Sequence, residues 1–285
     1  MKVTFHGVRG STPCHGRDIV RYGGNTSCVS LDVPGAAPIL FDLGTGLRYF
    51  GERLGADARP FRGTCLLSHL HWDHIQGLPF FTPLLCDGAR VDVHAPNQDD
   101  GRTVAEVFAD TIRPPLFPID LALLPGTVAF HEVADDEFTI DGGAAGDIRV
   151  TSRLIPHIGR TVGYRVEWRG STVAYLSDHQ MPCDGSGAIG DGALELCRDA
   201  DLVIHDAQYT PEEFAAKRDW GHCTSGFALD VAAEAGARRL ALFHHDPSHG
   251  DDVLDRLVAE CARAGRERGV EVVGAAEGCT LVVGR

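Results

Sequence analysis

The segment SHLHWDHIQGLPFF, residues 68–81, places four side chains that can bind metal within six positions: His69, His71, Asp73 and His74. Alternate residues of an extended segment project to the same side, so His69 and His71 can face one ion together. Asp73 and His74 then remain for a neighbouring ion. Imidazole and carboxylate ligands together suit zinc, manganese or iron. We therefore predict a metal site at this turn.

Further histidines and aspartates follow other apolar segments that read as strands. TSRLIP runs into His157, VAYLS into Asp178, LVI into His205 and LALF into His244. Strand ends on one side of a sheet form a common rim, where ligands that are remote in sequence can converge. A single histidine at a strand end is more often only hydrogen-bonded, and this is the simpler interpretation of His205, and also of His94 and His131.

The elements that must position these residues form one α/β pattern. Short strands joined by turns dominate the first half, whereas strands alternate with helices in the second half. This mixture predicts sheets with helices outside them, in a single domain over residues 1–285. The proline-punctuated stretch RPPLFPIDLALLPG predicts a loop or flap. We expect a lid or insertion at 83–125 that contains it.

The net charge of −14, from 26 basic and 40 acidic residues, disfavours a nucleic-acid or anionic-membrane surface. A small anionic substrate remains compatible, since bound metal can reverse the local charge. The sequence shows no stretch suited to a membrane span and no signal-peptide layout at its start. The nine cysteines are scattered without a C-x-x-C pair, which predicts reduced thiols and a cytoplasmic protein. A homodimer is compatible with the sequence.

Several motifs together resemble the metallo-β-lactamase superfamily over nearly the whole chain: GVRGSTP, YGGNTS, FDLGTG, SHLHWDHIQGLPFF, GYRVEW, YLSDHQ, IHDAQYT, WGHCTS and LFHHDP. Within it, they are similar to the phosphodiesterase branch related to ribonuclease Z and phosphoribosyl cyclic phosphate phosphodiesterase. The resemblance implies an αβ/βα four-layer sandwich with a binuclear metal site at the edge of two sheets. The motifs are more specific for the superfamily than for the branch, and they say little about the substrate.

The resemblance also implies a ligand set for two divalent metal ions. The first ion would be bound by His69, His71 and His157, the second by Asp73, His74 and His244, with Asp178 bridging the two. Successive residues that leave a strand point in different directions, so only one of His244 and His245 can be a ligand. We favour His244 because it directly follows the strand, as the ligand does in the family. Zn²⁺ is the expected metal, with Mn²⁺ or Fe as alternatives.

Two further residues have roles by resemblance. His222 in WGHCTS resembles the branch's catalytic histidine, which is not a metal ligand; the alternative is that it only packs against Trp220. Asp42 in FDLGTG resembles an acid that lies behind the ligand loop and orients a histidine, with a simple turn role as its alternative. We do not assign His179, His205 or Asp206 as ligands.

The predicted reaction is attack by a metal-bridging hydroxide on the phosphorus of a phosphodiester. Asp73 would orient the hydroxide, and His222 would donate a proton to the leaving alkoxide or stabilise the charge on the phosphorane. An alkoxide is a poor leaving group and needs an acid more than a β-lactam or thioester does. The presence of His222 therefore favours a phosphodiesterase.

A small cyclic nucleotide or cyclic phosphate is the predicted substrate. The runner-up is tRNA 3′-end cleavage as in ribonuclease Z, a class that grips tRNA with a projecting basic arm of a kind not found in this sequence. Phe80, Phe81 and Phe117 are candidates for stacking on a base, although such residues are more often part of the core. A lactonase or thioesterase of the same fold is a second alternative, and a metal-binding protein without activity is a third.

Overall fold

A computed structural model describes residues 1–55 and 60–284 of the chain. Within these ranges, two seven-stranded sheets face each other. In spatial order, the first sheet contains β14 (Thr280–Val282), β1 (Lys2–Gly7), β2 (Cys28–Asp32), β3 (Ile39–Phe41), β4 (Arg62–Leu66), β5 (Arg90–Pro96) and β6 (Thr127–Val133). The second contains β13 (Glu271–Gly274), β12 (Arg239–Phe243), β11 (Leu202–Asp206), β10 (Ser171–Leu176), β9 (Val162–Trp168), β8 (Asp147–Leu154) and β7 (Glu137–Asp141).

The main core lies between the two sheets. In β1, Val3 and Phe5 are fully buried and alternate with the more exposed Lys2 and Thr4, as expected for a strand with one buried face. Rings from opposite sheets meet in this layer: Phe41 stacks on Tyr175, with ring centres 4.7 Å apart. Removal of these side chains from water is the dominant force that holds the sheets together.

Helices cover the outer face of each sheet and complete a helix, sheet, sheet, helix order of layers. Those on the first sheet are α1 (Gly46–Arg53) and α3 (Val104–Thr111), whereas α4 (Asp191–Cys197), α6 (Ser225–Glu234) and α7 (Asp251–Glu267) lie on the second. Two short helices, α2 (Trp72–Ile75) and α5 (Pro211–Ala216), lie in loops. The four-layer sandwich expected from the sequence is confirmed.

Several elements are too short to be indicated by a local sequence pattern, among them β14, α4 and α5. The strand β14 has only three residues, and it forms because it pairs with β1 from the other end of the chain. The helices α4 and α5 have seven and six residues, too few to show a clear helical period. Local sequence alone is therefore a weak signal for these short elements.

The segment 83–125 contains more regular structure than a simple loop. It includes β5, which pairs with β4 and β6 inside the first sheet, and α3 after it. Residues 113–124 form the proline-rich part, with a single 3₁₀ turn at Leu121–Leu123. The Phe117 ring in this part meets the ring of Phe80 edge-on, with centres 5.9 Å apart. A lid function for this segment stays a prediction.

Parallel strands bring the functional loops to one rim. In the second sheet, β10, β11, β12 and β13 run parallel to one another, and in the first sheet β3, β4, β5 and β6 do the same. The carboxyl ends of parallel strands share one edge, where ligand-binding residues gather in such sheets.

None of the helices over the described ranges is both long enough and apolar enough to cross a bilayer.

Candidate metal centre

The predicted ligands meet at this rim. The loop after β4 carries His69 and His71 and continues into α2 with Asp73 and His74. The three remaining side chains each follow a strand of the second sheet: His157 after β8, Asp178 after β10 and His244 after β12. One sheet therefore supplies a compact turn, and the other supplies three strand ends.

The first group of ligand atoms comes from His69, His71, His157 and Asp178, all within 4.8 Å of one another. The His157 Nε2 lies 3.2 Å from the His71 Nδ1 and 3.5 Å from the Asp178 Oδ2. The His69 Nε2 lies 3.8 Å from the same carboxylate oxygen. Two ligand atoms at 2.0–2.1 Å from one tetrahedral zinc ion lie about 3.3 Å apart, so this spacing fits a shared ion.

The second group comes from Asp73, His74 and His244, again within 4.8 Å. The Asp73 Oδ2 lies 3.2 Å from the His74 Nε2 and 3.3 Å from the His244 Nε2. The same two nitrogens lie 3.2 and 3.3 Å from the Asp178 Oδ1. Asp178 therefore turns one oxygen toward each group.

Buried atoms that lack partners show that the residues fit a divalent metal. Among the described residues, the His69 Nε2, the His74 Nε2 and the Asp178 Oδ1 are buried without a hydrogen-bond partner. Such atoms are normally paired, because an unpaired buried polar group is costly. The donor set of imidazoles and carboxylates matches the preferences of zinc and its neighbours.

Hydrogen bonds at the far side of the rings aim the ligand histidines. The Nδ1 of His157 donates to the carbonyl of Gly221 over 2.7 Å, and the His244 Nδ1 bonds to the Gln208 Oε1 over 2.8 Å. A bond at one ring nitrogen fixes the tautomer and the orientation of the other. In both rings, this leaves Nε2 facing the centre.

Asp42 holds His74 in the same way. It is fully buried, and its Oδ2 lies 2.7 Å from the His74 Nδ1. The carboxylate also accepts bonds from the Ser68 amide over 2.7 Å and the Tyr175 hydroxyl over 2.6 Å. Its φ of 59° is uncommon for a residue with a side chain, and the surrounding bonds stabilise this backbone. The structure thus places Asp42 behind the ligand loop, in contact with a histidine.

The electrostatics divide the ligand histidines: burial opposes the charged form of His74, but Asp73, Asp178 and Asp42 outweigh it and raise its pKa, so a metal ion must displace a proton there. Burial lowers the pKa of His69 and His71, and it lowers that of His157 to about 4, so these rings are neutral, as ligands must be. Burial alone would raise the pKa of Asp73 and Asp178. The neighbouring histidines outweigh this and hold both carboxyl groups ionised, with a pKa below the ordinary value.

The structure separates His244 from His245. The chain turns at His244 with φ of 57°, and its ring enters the cluster. The His245 ring is also buried, but its Nε2 donates to the carbonyl of Ala275 over 2.9 Å, away from the centre. The arrangement therefore agrees with the choice of His244 over its neighbour.

His222 lies beside the cluster, held by a carboxylate. Its Nδ1 donates to the Asp206 Oδ2 over 2.9 Å and lies 3.7 Å from the Asp178 Oδ2. It is close enough to form a third group with Asp178 and His244, but the bond to Asp206 occupies Nδ1. Burial opposes its charged form, yet the carboxylates, Asp206 foremost, outweigh this and raise the pKa of His222. Trp220 is 62% exposed, and the ring of Tyr209 packs against His222.

Three supporting residues received no role from the sequence. Gln208 orients His244, the carbonyl of Gly221 orients His157, and the amide of Ser11 donates to the Asp73 Oδ2 over 2.7 Å. All three lie in or beside motifs that mark the resemblance, which was the available signal. Asp206, left unassigned as a ligand, instead contacts His222. The buried His179 and His205 bond to each other over 2.9 Å.

The fold and the cluster together define a metal-dependent hydrolase. A family model described as "Beta-lactamase superfamily domain" matches residues 39–245. The chain therefore belongs to the β-lactamase superfamily, and the resemblance inferred from its motifs is confirmed.

Related proteins agree with this assignment. A protein named ribonuclease Z from Synechococcus sp. (strain WH7803) is 28% identical, over 87% of this chain and 86% of that protein. The metallo-beta-lactamase fold protein YhfI from Bacillus subtilis has a TM-score of 0.72 at 20% identity, covering 99% of this chain and 98% of its own. A diphosphatase from the PhnP family has a TM-score of 0.67 at 18% identity, covering 99% and 97%. The two structural matches show the shared fold.

Proposed function

We propose that the protein hydrolyses phosphodiesters at a centre that holds two divalent metal ions, most simply Zn²⁺. Seven residues would hold them: His69, His71 and His157 at the first ion, Asp73, His74 and His244 at the second, and Asp178 between them. Support comes from the two oxygens of Asp178, each of which faces one group of ligands. Bound divalent ions would supply positive charge at the phosphoryl oxygens and a nucleophilic water at neutral pH.

The position of His222 is the observation that favours a phosphodiester as the substrate. The Asp206 carboxylate accepts a hydrogen bond from the Nδ1–H of His222. In its charged form the ring also carries a proton on Nε2, which it can donate to a leaving oxygen. An alkoxide leaves slowly without such a proton, whereas the leaving group of a thioester or an activated lactam needs little help. A histidine held by a carboxylate beside the proposed metal ligands therefore favours a phosphodiester with an alkoxide leaving group as the substrate.

Asp73 would have a second role besides metal binding. Its Oδ2 accepts a hydrogen bond from the amide of Ser11 and faces His74 and His244. Its carboxyl group stays ionised because the histidines hold its pKa low. An ionised carboxylate fixed in this way can accept a hydrogen bond from the entering water and orient it.

A small cyclic nucleotide or cyclic phosphate is the proposed substrate. The net charge of −14 disfavours an extended polyanion as the substrate. It therefore supports a small substrate that mainly contacts the metal centre. Segment 83–125 is the proposed lid, since its Phe117 ring contacts Phe80 at the end of the ligand loop.

The second candidate is tRNA 3′-end cleavage. It is favoured by the relative named ribonuclease Z, which is similar over most of both chains. Incubation of the metal-loaded protein with a tRNA precursor that has a 3′ trailer, beside a panel of cyclic nucleotides, separates the two. Release of the trailer without turnover of any cyclic nucleotide would establish this second candidate.

The variant H222A tests the proposed role of the acid. We expect kcat to fall by about 10²–10⁴-fold for a diester with an alkyl leaving group, and much less for bis(p-nitrophenyl) phosphate, whose phenolate leaves unaided. Metal content, measured by elemental analysis, should stay at the wild-type value.

The matched control is H15A, which removes an exposed histidine. Undiminished cleavage of the alkyl diester by metal-replete H222A would refute the proposed role. Failure of the wild-type protein to cleave any phosphodiester would refute the function itself.

A further inference from the structure

A half-buried lysine, Lys217, and an exposed tryptophan, Trp220, form a shelf beside His222. Trp220 precedes His222 by two residues and is 62% exposed. The Lys217 Nζ lies 4.8 Å from the centre of the Tyr209 ring and 5.7 Å from the centre of the Trp220 ring. The Tyr209 ring meets His222 edge-on, with ring centres 5.5 Å apart. The ammonium group is therefore separated from His222 by a single aromatic ring.

The loop that exposes the indole is fixed on both sides. The amide of Trp220 donates to the Lys217 carbonyl over 3.1 Å, and the amide of Gly221 donates to the Gln180 Oε1 over 2.6 Å. The carbonyl of Gly221 accepts the bond from His157. The indole is thus held at the surface by an ordered backbone, and a planar ligand that covers it would remove a large apolar face from water.

The ammonium group of Lys217 has unused hydrogen-bonding capacity. Its one carboxylate neighbour is Asp246 among the described residues, and the Nζ to Oδ2 distance of 3.5 Å is long for a hydrogen bond. The other oxygen of Asp246 already accepts two bonds from Ser248. An ammonium has three donors, and the faces of Tyr209 and Trp220 attract its charge without occupying them all.

The choice of lysine is unusual for this chain. Lys2 and Lys217 are the only lysines among its 26 basic residues, and Lys2 lies in β1. A lysine presents a compact point charge with rotatable donors, which can pair with a phosphate from several directions, whereas arginine presents a planar fork. A chain in which nearly all basic residues are arginine has a lysine near His222, the proposed catalytic histidine.

We infer that Lys217 and Trp220 bind the part of the substrate that extends past His222. The indole stacks on a planar base, and the ammonium pairs with a second anionic group next to the scissile diester. This inference rests on the proposed function and deepens it. The substrate class is a small nucleotide phosphodiester that carries an additional phosphate.

The test compares uridine 2′,3′-cyclic phosphate with its 5′-phosphorylated form on the metal-loaded protein. The wild type should favour the 5′-phosphorylated form in kcat/KM, and K217M should reduce this preference by about 10-fold, the loss of one charge-assisted contact. K217R should retain part of the preference. The control R218M, which removes the adjacent exposed charge, should keep the wild-type ratio.

A binding measurement supplies a second readout that does not depend on turnover. An analogue of the 5′-phosphorylated cyclic phosphate, with a methylene in place of the leaving oxygen, should quench tryptophan fluorescence in the wild type and not in W220F. It should bind K217M about 10-fold more weakly than R218M. If K217M and R218M have the same kcat/KM preference and the same affinity for the analogue, the proposed binding role of the shelf is wrong. Absence of any phosphodiester cleavage, with the analogue still bound through Lys217, would instead overturn the proposed function.

Discussion

At the scale of single residues, three of the proposed ligand histidines have one ring nitrogen facing the centre and the other bonded to the protein. His74 is held by Asp42, His157 by the carbonyl of Gly221 and His244 by Gln208. These bonds fix the rings before metal arrives, which reduces the entropy lost on binding. Asp178 differs from them, because both of its oxygens face the ligand groups.

The variant D178N tests the bridging position. An amide keeps the shape of the side chain but removes the negative charge between the two groups of ligands. That charge would compensate the positive charge of two bound metal ions. We expect elemental analysis to give about two divalent ions per wild-type chain and fewer than one in D178N. The control D184N changes an exposed aspartate on the same loop. Two tightly bound ions in D178N would contradict the assignment.

At the scale of elements, close backbone contacts between loops set the geometry of the centre. The loop after β1 passes so near β12 that a Cβ at Gly10 would lie 2.5 Å from the His244 ring and 2.6 Å from the Gln208 Oε1. The next residue, Ser11, donates its amide to Asp73. This loop therefore positions ligands from both sheets without providing one.

The substitution G10A should weaken metal binding by about 10- to 100-fold, because the added methyl group must displace His244 or its partner. A competition titration with a chromophoric chelator measures this affinity. The control is G190A, since nothing lies within 4 Å of a Cβ at Gly190. An unchanged affinity in G10A would show that the loop yields without moving the ligand.

A histidine in the paired strands β5 and β6 predicts a pH dependence of stability. The His94 ring stacks on those of His131 and Phe138, with centres 4.6 and 4.5 Å away. Burial, and then the charge of His131, lowers the pKa of His94 to about 4. Below its ordinary value of about 6.5, the unfolded chain gains a proton that the folded chain does not. This contribution to stability is therefore complete above that pH and declines as the pH falls toward 4.

We expect the metal-stripped wild type to lose about 1–2 kcal/mol more stability than H94F between pH 7 and 4.5, a figure reduced for the partial exposure of the ring. Urea unfolding at the two pH values measures the difference. Phenylalanine preserves the stacking and cannot titrate. Parallel losses in both proteins would show that His94 is not responsible.

At the scale of the whole molecule, the metal centre lies across the junction of the two sheets. The turn at His69 to His74 follows β4 of the first sheet, and the other ligands follow strands of the second. Bound metal would therefore link both halves of the sandwich, in addition to the apolar core between them.

Removal of metal by a chelator should lower the melting temperature by about 5–10 °C, since ions that bind only the folded chain add about 2.7 kcal/mol at 100 times their dissociation constant. Differential scanning calorimetry with and without added zinc measures the shift. In D178N the shift should be much smaller. A melting temperature that does not respond to metal in the wild type would contradict a site shared by the two sheets.

The sequence by itself determined the features that depend on local chemistry. The close spacing of metal-binding side chains from His69 to His74 predicts a metal site at this turn. The apolar runs that end on His157, Asp178 and His244 predict strand ends. The motif resemblance then identified the superfamily and the four-layer sandwich. Each of these signals lies within a few consecutive residues.

Only the tertiary structure decided which atoms meet. The direction of His244 rather than His245 depends on a positive φ that nonlocal packing imposes. The pairing of His222 with Asp206 and the approach of Lys217 to Tyr209 join loops that local patterns do not connect. Side-chain direction beyond a strand end is set by contacts remote in sequence. For this reason the candidate ligands could be named from the sequence, whereas their orienting partners and the shelf beside them could not.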